Sequence, residues 1–328
     1  MKMNQKLKTM LAVALAAAGL TAAVAAPSVE ITKAWQAKPG SGVVDFTYEV
    51  KRLMGRYYDV RVTVSAKGCA NTAEFTIEAH EGTTTTNVNY RNLLGGVYSN
   101  VTLSASLEDC VQLWEGGPYF AKCNVGAKRP EETGYYFWWG DTVGYTNTVG
   151  RAGGEGMWLS TADGTTSISF SDDNSLNPAR QTCMRNISSL QEDGWIGEDK
   201  NLVPAHDAAA MHLGAPWRMP TKDEILMILQ NCNRDKVSNW EGTGVKGVIV
   251  RGKTSPYNKK SVFIPLAGYG KETSLVDSND GILWASTPYT IEPDYSIALS
   301  VTGGPSSGCT QIKRCWGLSI RPVRDSVK

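Results

Sequence analysis

Seven cysteines and three histidines are the side chains of this 328-residue chain best suited to nucleophilic or metal chemistry. Their spacing gives that chemistry little to work with. No Cys-x-x-Cys occurs, and His80, His206 and His212 are scattered, so a structural zinc site is not expected. His206 and His212 stand six apart, too far to share one turn of one helix. His206-Asp207 reads instead as a helix start, with Asp207 placed to favour the helix N-terminus. Glu292-Pro293-Asp294 sets two carboxylates around a rigid proline, oxygen donors of the kind calcium accepts. A solvated turn is the plainer account of that tripeptide. No Gly-rich phosphate loop, serine nucleophile elbow or kinase motif set is present. Trp138-Trp139, Trp158 and Trp195 read as core filler, with a sugar-stacking platform as the alternative. Trp114, Trp217 and Trp284 lie beside apolar strand or helix positions and read as packing. Neither a metal nor an organic cofactor is expected.

The elements that would carry these residues begin after a leader. Met1 to Lys8 is polar and basic, Met10 to Val24 is apolar and Ala-rich, and Ala23-Val24-Ala25 offers small residues to a signal peptidase. This layout is that of a secretory signal peptide over residues 1–25. Its apolar run is shorter than the ~20 residues a membrane span requires, and no later segment is long and apolar enough to span. The expected location is therefore secreted or at the cell surface. Removing Lys2, Lys6 and Lys8 leaves thirty basic against thirty-two acidic residues, so nucleic acid is not an expected partner. In an oxidising compartment an even subset of the seven cysteines would pair, leaving at least one thiol over.

The mature chain reads as two regions. Across 26–109 the pattern has period two. Val44, Phe46, Tyr48 and Val50 alternate with polar partners, as do Tyr58, Val60, Val62 and Val64, and Val101, Leu103, Ala105 and Leu107. Alternation of this kind marks strands with one buried face. Turn-rich breaks such as Lys38-Pro39-Gly40-Ser41-Gly42 separate them. An all-β immunoglobulin or fibronectin-III-like sandwich is expected, serving as a spacer, and Cys69 with Cys110 could close it.

From 110 to 328 the texture changes to Gly-rich and Trp-rich loops. Thr221 followed by Glu224 forms a capping box ahead of Ile225, Ile228 and Leu229 at helical spacing. A shorter helix is expected over His206 to Leu213, stopped by Gly214. Strands are expected over Gly247–Val250, Ser261–Pro265, Ile282–Ser286, Ser296–Val301 and Leu318–Val323. Helices first and an antiparallel sheet after them make an α+β order.

Seven phrases of this region occur in the order of one family. They are Trp114-Glu-Gly-Gly-Pro-Tyr-Phe-Ala-Lys-Cys-Asn-Val-Gly-Ala127, Pro130-Glu-Glu-Thr-Gly-Tyr-Tyr-Phe-Trp-Trp-Gly-Asp141, His206-Asp-Ala-Ala209, Trp217-Arg-Met-Pro-Thr-Lys222, Phe263-Ile-Pro-Leu-Ala-Gly-Tyr269, Trp284-Ala-Ser-Thr-Pro288 and Gly317-Leu-Ser-Ile-Arg-Pro-Val323. Together, over about 111–325, they resemble the Fibrobacter succinogenes major paralogous domain, a family of secreted bacterial proteins. The resemblance implies an α+β C-type-lectin-like domain related to formylglycine-generating and sulfatase-modifying proteins.

In related C-type-lectin-like domains the ligand-contacting positions precede a closing strand. Here that segment is Tyr289 to Trp316, and its candidate contacts are Tyr289, Tyr295, Ser300, Thr302, Ser306, Ser307, Thr310, Gln311, Lys313, Arg314 and Trp316. Tyr and Trp supply stiff contact area and Ser and Thr adaptable hydrogen bonds. Cys309 and Cys315 would form a disulfide that pins this loop; they are also the sole counterparts of the formylglycine-generating reactive pair, whose surrounding pattern is missing. The expected function is non-catalytic binding of a protein or glycan at the cell surface, with retroelement diversification as a candidate origin of the loop. The alternatives are a structural surface protein without a specific ligand and an enzyme of the formylglycine-generating kind.

Overall fold

The structure, a computed structural model, describes residues 27–36, 41–53, 57–67, 72–89, 100–147, 158–171, 185–276, 279–302 and 307–325. The leader at 1–25 lies outside the described residues. The chain divides into two compact units: one runs to Met54 and resumes over Val60–Leu107, and the other comprises Gly55–Asp59 and Glu108–Lys328.

The first unit holds strands β1 (Ser28–Trp35), β2 (Val43–Lys51), β3 (Asp59–Ala66), β4 (Ala73–Glu78), β5 (Gly82–Asn89) and β6 (Val101–Glu108). They form two three-stranded sheets, ordered β1-β2-β5 and β4-β3-β6. In β2 the residues Val44, Phe46, Tyr48 and Val50 are buried and their neighbours are half-exposed. In β3 Val60, Val62 and Val64 are fully buried. Phe46 of β2 meets Phe75 of β4 edge to face, ring centroids 6.0 Å apart, so the apolar faces of the two sheets pack together. Alternation produces this arrangement directly, because successive side chains leave a strand on opposite faces.

The second unit starts with short strands: β7 (Cys110–Gln112), β8 (Tyr119–Ala121), β9 (Tyr145–Asn147), β10 (Trp158–Ser160) and β11 (Ser167–Ile168). Then come α1 (Ile187–Glu192), α2 (Ala208–Leu213), β12 (Trp217–Arg218) and α3 (Lys222–Asn231). They are followed by β13 (Cys232–Val237), β14 (Gly247–Gly252), β15 (Ser261–Pro265), β16 (Tyr269–Lys271), β17 (Ser274–Val276), β18 (Gly281–Pro288), β19 (Tyr295–Val301), β20 (Gly308–Lys313) and β21 (Val323–Arg324). Small antiparallel sheets result, among them β13-β14-β15, β18-β19-β20 and β12-β21-β8-β7.

The expected α+β class is overturned, and with it the C-type-lectin-like assignment. Helix amounts to 12% of the described residues, and their architecture is mostly strands in small antiparallel sheets. Among the described residues the α-helices have six, six and ten residues, and strands stand before, between and after them. Two features of the sequence hid this. Strands of two or three residues are too short to show a period. Strand β13, Cys-Asn-Arg-Asp-Lys-Val, is so polar that it reads as loop. The expected closing strand over 318–323 is also broken up. Leu318 and Ser319 make isolated bridges to Phe137 and Leu283, and Pro322 has no N–H with which to continue a ladder.

Local signals in the helices did carry through. Thr221 accepts from the Glu224 amide (3.3 Å) while the Glu224 carboxylate accepts from the Thr221 amide (2.8 Å). Gly214, at φ 75°, ends α2 and donates its amide to Ala210 O; a side chain there would be strained.

The core of this unit lies on both faces of the β18–β19 pair. Ile297, Leu299 and Val301 point into one apolar cluster with Ile225 and Ile228 of α3. Trp284 and Ala298 point into another with Phe137, Trp139, Leu318 and Ile320. Trp138, Trp139, Trp158 and Trp284 are fully buried, and Trp195 nearly so. Trp138, Trp139 and Trp284 donate their indole N–H to Cys315 O (2.8 Å), Ala285 O (2.9 Å) and Phe137 O (2.8 Å). These tryptophans are packing, and none forms an exposed stacking platform.

Candidate functional site

The segment expected to contact ligand forms the β19–β20 hairpin and the turn after it. Tyr295 pairs with Lys313, Ile297 with Gln311, Ala298 with Thr310 and Ser300 with Gly308. Tyr289, Tyr295, Ser300, Thr302, Thr310, Lys313 and Trp316 are half-buried, and Gln311 is exposed. Ser306 lies outside the described residues.

Two candidates are corrected outright. Ser307 is buried and accepts from the Thr302 amide (3.3 Å). Arg314 is fully buried: its Nε donates to Tyr295 O and Ser296 Oγ (3.0 Å each), its Nη1 to Arg185 O (3.0 Å), and its guanidinium lies 4.8 Å from the Trp139 ring. A cation held this way satisfies backbone carbonyls inside the fold and offers nothing to a partner. Trp316 stacks on Tyr269 at 4.8 Å, and Tyr289 packs against the core.

The expected disulfides are corrected as well. Cys309 and Cys110 are free thiols, Cys315 is buried with its carbonyl accepting from the Trp138 indole, and Cys69 lies outside the described residues. Cys309 sits on β20 opposite Leu299. An extended strand sets it roughly 13 Å from Lys313, before the turn that holds Cys315, whereas a disulfide needs Cα atoms within about 7 Å. Burial pushes the thiols of Cys110, Cys123 and Cys232 up to about 12 and raises that of Cys309. Such thiols stay protonated, and the thiolate is the nucleophile. Glu292-Pro293-Asp294 is a turn closed on itself and the hairpin: Tyr295 N donates to Glu292 O (3.2 Å) and Arg314 N to Asp294 O (2.8 Å).

The two histidines act as struts. His206 stacks on Trp195 at 3.7 Å and bonds to the Gly140 backbone, and burial lowers its pKa. His212 Nε2 lies 2.9 Å from Thr142 O; a carbonyl can only accept, so this nitrogen carries the proton. The two rings thus hold one face of the 204–213 segment to the loop at 140–142.

The opposite face of that segment borders the main open groove, about 600 Å³ in volume. That volume suits a small organic ligand. One wall is the turn Pro204–His206 with α2, and the other is β12 with Met219 and Thr221, the N-cap of α3. One carboxylate joins the walls. Asp207, buried, accepts from Ala210 N (3.0 Å) at the start of α2 and from Met219 N (2.7 Å) after β12. The rim is apolar and wet: Pro204, Ala205, Met211, Ala215 and Pro216 are exposed, Met211 by 57%. The floor holds Leu202, Trp217 and Met219, all buried.

The polar groups cluster at one end. Asn201 Oδ1 accepts from Ser286 Oγ (3.2 Å) and Thr287 Oγ1 (2.5 Å), and its Nδ2 donates to Asp199 O and Oδ2 (3.1 Å each). Arg218 is held by both Glu224 oxygens (2.8 and 2.7 Å) and by Asp325 (2.7 Å). These bonds raise its pKa further.

The lining contains no Cys, His or Lys, and the Asp207 oxygens are occupied by backbone amides. Sequence reasoning singled out His206-Asp207 and Trp217 to Lys222 but treated them as separate elements. Only a shared set of exposed Pro, Ala and Met flanking both could have hinted at a common surface. Comparisons of the chain with protein-family models, with curated proteins and with solved structures returned no match.

Proposed function

We propose that this chain is a non-catalytic binding protein that works outside the cytoplasm, and that the groove between the 204–213 segment and Trp217–Thr221 takes its ligand. The observation that carries this is the preformed groove of about 600 Å³, with its exposed Pro204, Ala205, Met211, Ala215 and Pro216. Exposed apolar residues gathered around a concavity mark interaction sites, whereas scattered ones do not. The signal-peptide pattern of residues 1–25 and the resemblance to a family of secreted proteins support the location. The high thiol pKa values of Cys110, Cys123 and Cys232 argue against cysteine chemistry.

A neutral environment-sensitive dye, N-phenyl-1-naphthylamine, tests the groove. Its fluorescence is expected to rise on the wild-type protein. In Ala205→Trp, which fills an exposed rim position without disturbing the core, the response falls by about an order of magnitude, equivalent to losing ~1.4 kcal/mol of binding, at unchanged Tm. An equal response from both proteins would place binding elsewhere.

A further inference from the structure

Given the groove as the binding site, we infer that its ligand is an organic cation, an apolar body ending in a protonated amine. The lining has three charged side chains, Asp199, Asp207 and Arg218. The single cation is already spent: Arg218 is bidentate to Glu224 and bonded to Asp325. The hydrogen bonds to the two carboxylates come from neutral donors, and Arg218 adds a coulombic pull on Asp207. Asp207 takes backbone amides, and Asp199 takes the Asn201 amide and side chain.

Among the lining residues two carboxylates, Asp199 and Asp207, stand against one guanidinium, and that guanidinium is shared with Glu224 and Asp325 outside the lining. Arg324, behind Trp217 at 5.1 Å, has its own acid in Asp109 (3.6 Å). Lys200 and Lys222 are exposed and do not line the groove. The field inside is therefore negative, and low-dielectric walls of Pro204, Ala205, Met211 and Trp217 focus it.

The charge is also asymmetric in position. Asp199, Asn201 and Ser286 are tied to one another by hydrogen bonds, and the apolar rim residues line the same groove. An amine bonds to the acid-and-amide end while its carbon chain covers the apolar rim and leaves water. A carboxylate ligand of the same shape is repelled, and an alcohol gains the burial without the charge term. This is specificity by electrostatic complementarity laid over a non-directional apolar contact.

Three probes of one size separate the terms: hexylamine, hexanol and hexanoate, titrated into the full chain by calorimetry. Hexylamine is expected to bind about fivefold tighter than hexanol, the scale of a partly exposed charge pair, and hexanoate weakest. The preference shrinks as salt rises, since a partly exposed pair is screened. Asp199→Asn removes the amine preference and leaves hexanol binding intact, a result that a merely structural role for Asp199 would not give. Hexanol binding as tightly as hexylamine, or hexanoate binding tightest, overturns the cation. If hexylamine and hexanol bind equally and both are lost in Ala205→Trp, the groove stands and only the cation falls. If Ala205→Trp leaves every probe bound, the groove itself falls.

Discussion

Strand β2 in the first unit and strand β18 in the second both run antiparallel to a neighbour, yet their burial differs in kind. In β2 every second residue is buried, with Asp45, Thr47 and Glu49 facing out. In β18 every residue but Thr287 is buried. Strand β2 is covered on one face. Strand β18 separates two apolar clusters and is covered on both. The contrast extends to charge. Among the described residues the buried acidic and basic side chains, Asp141, Asp207, Arg314 and Arg321, all belong to the second unit. A one-sided strand is specified by its own alternation. A two-sided one needs partners on both faces, and those partners come from distant segments.

The sharpest way to break this contrast is alanine substitution of adjacent residues. In β18, Leu283→Ala and Trp284→Ala are both expected to be costly, about 2–5 and 3–5 kcal/mol, as read from denaturant melts. In β2, Phe46→Ala costs a similar 3–5 kcal/mol, while its neighbour Thr47→Ala stays within about 0.5 kcal/mol. A neutral Leu283→Ala would mean that β18 has a wet face after all.

A smaller effect, specific to the second unit, comes from Asp141. Burial raises its pKa to about 6, although Val143 N donates to its Oδ1 (3.1 Å). A carboxyl whose folded pKa lies above its unfolded value adds stability below the unfolded value, near 4. That stability is lost as pH rises through about 6. His206 acts in the opposite sense. Its pKa is lowered, so its contribution is present above about 6.5 and is lost as pH falls through the lower, folded value. Asp141→Asn isolates the first term: the variant should lack a loss on the order of 2 kcal/mol between pH 4 and pH 7 that the wild type shows. Parallel stability curves for the two proteins would refute the assignment.

The smallest expected effect sharpens the contrast from the other side. Gln311 is exposed on β20, as Thr83, Thr85, Asn87 and Asn89 are on β5. Gln311→Ala and Thr85→Ala should each shift stability by no more than about 0.5 kcal/mol. A loss well above that at Gln311 would show that the outer edge of β20 is covered in solution.

The sequence was legible where structure is local. Alternation at Val44–Val50 and Val60–Val64 marks one-sided strands, because the period of two is a property of the strand itself. The Thr221–Glu224 cap and the Gly214 stop are legible because donor, acceptor and backbone constraint lie within a few residues. The role of Arg314 was not. Its type and neighbourhood match a contact surface, and only the closure of Tyr295, Ser296 and Arg185 around it makes it internal. The disulfide proposed for Cys309 and Cys315 failed for a related reason. Six positions apart in the chain, they sit on different elements, Cys309 on β20 against the apolar core and Cys315 in the turn after it.

What the sequence by itself determined, then, is the set of features whose partners sit within one turn or one strand: the alternating strands of the first unit and the capped helix. Tertiary structure alone decided which charges are buried, which thiols stay free and where a groove opens. The groove joins Asp199 and Asn201, the segment at 204–221 and Ser286, which are brought together by long-range packing. Contacts of that kind depend on how non-neighbouring elements close on one another, and no local period or spacing encodes them.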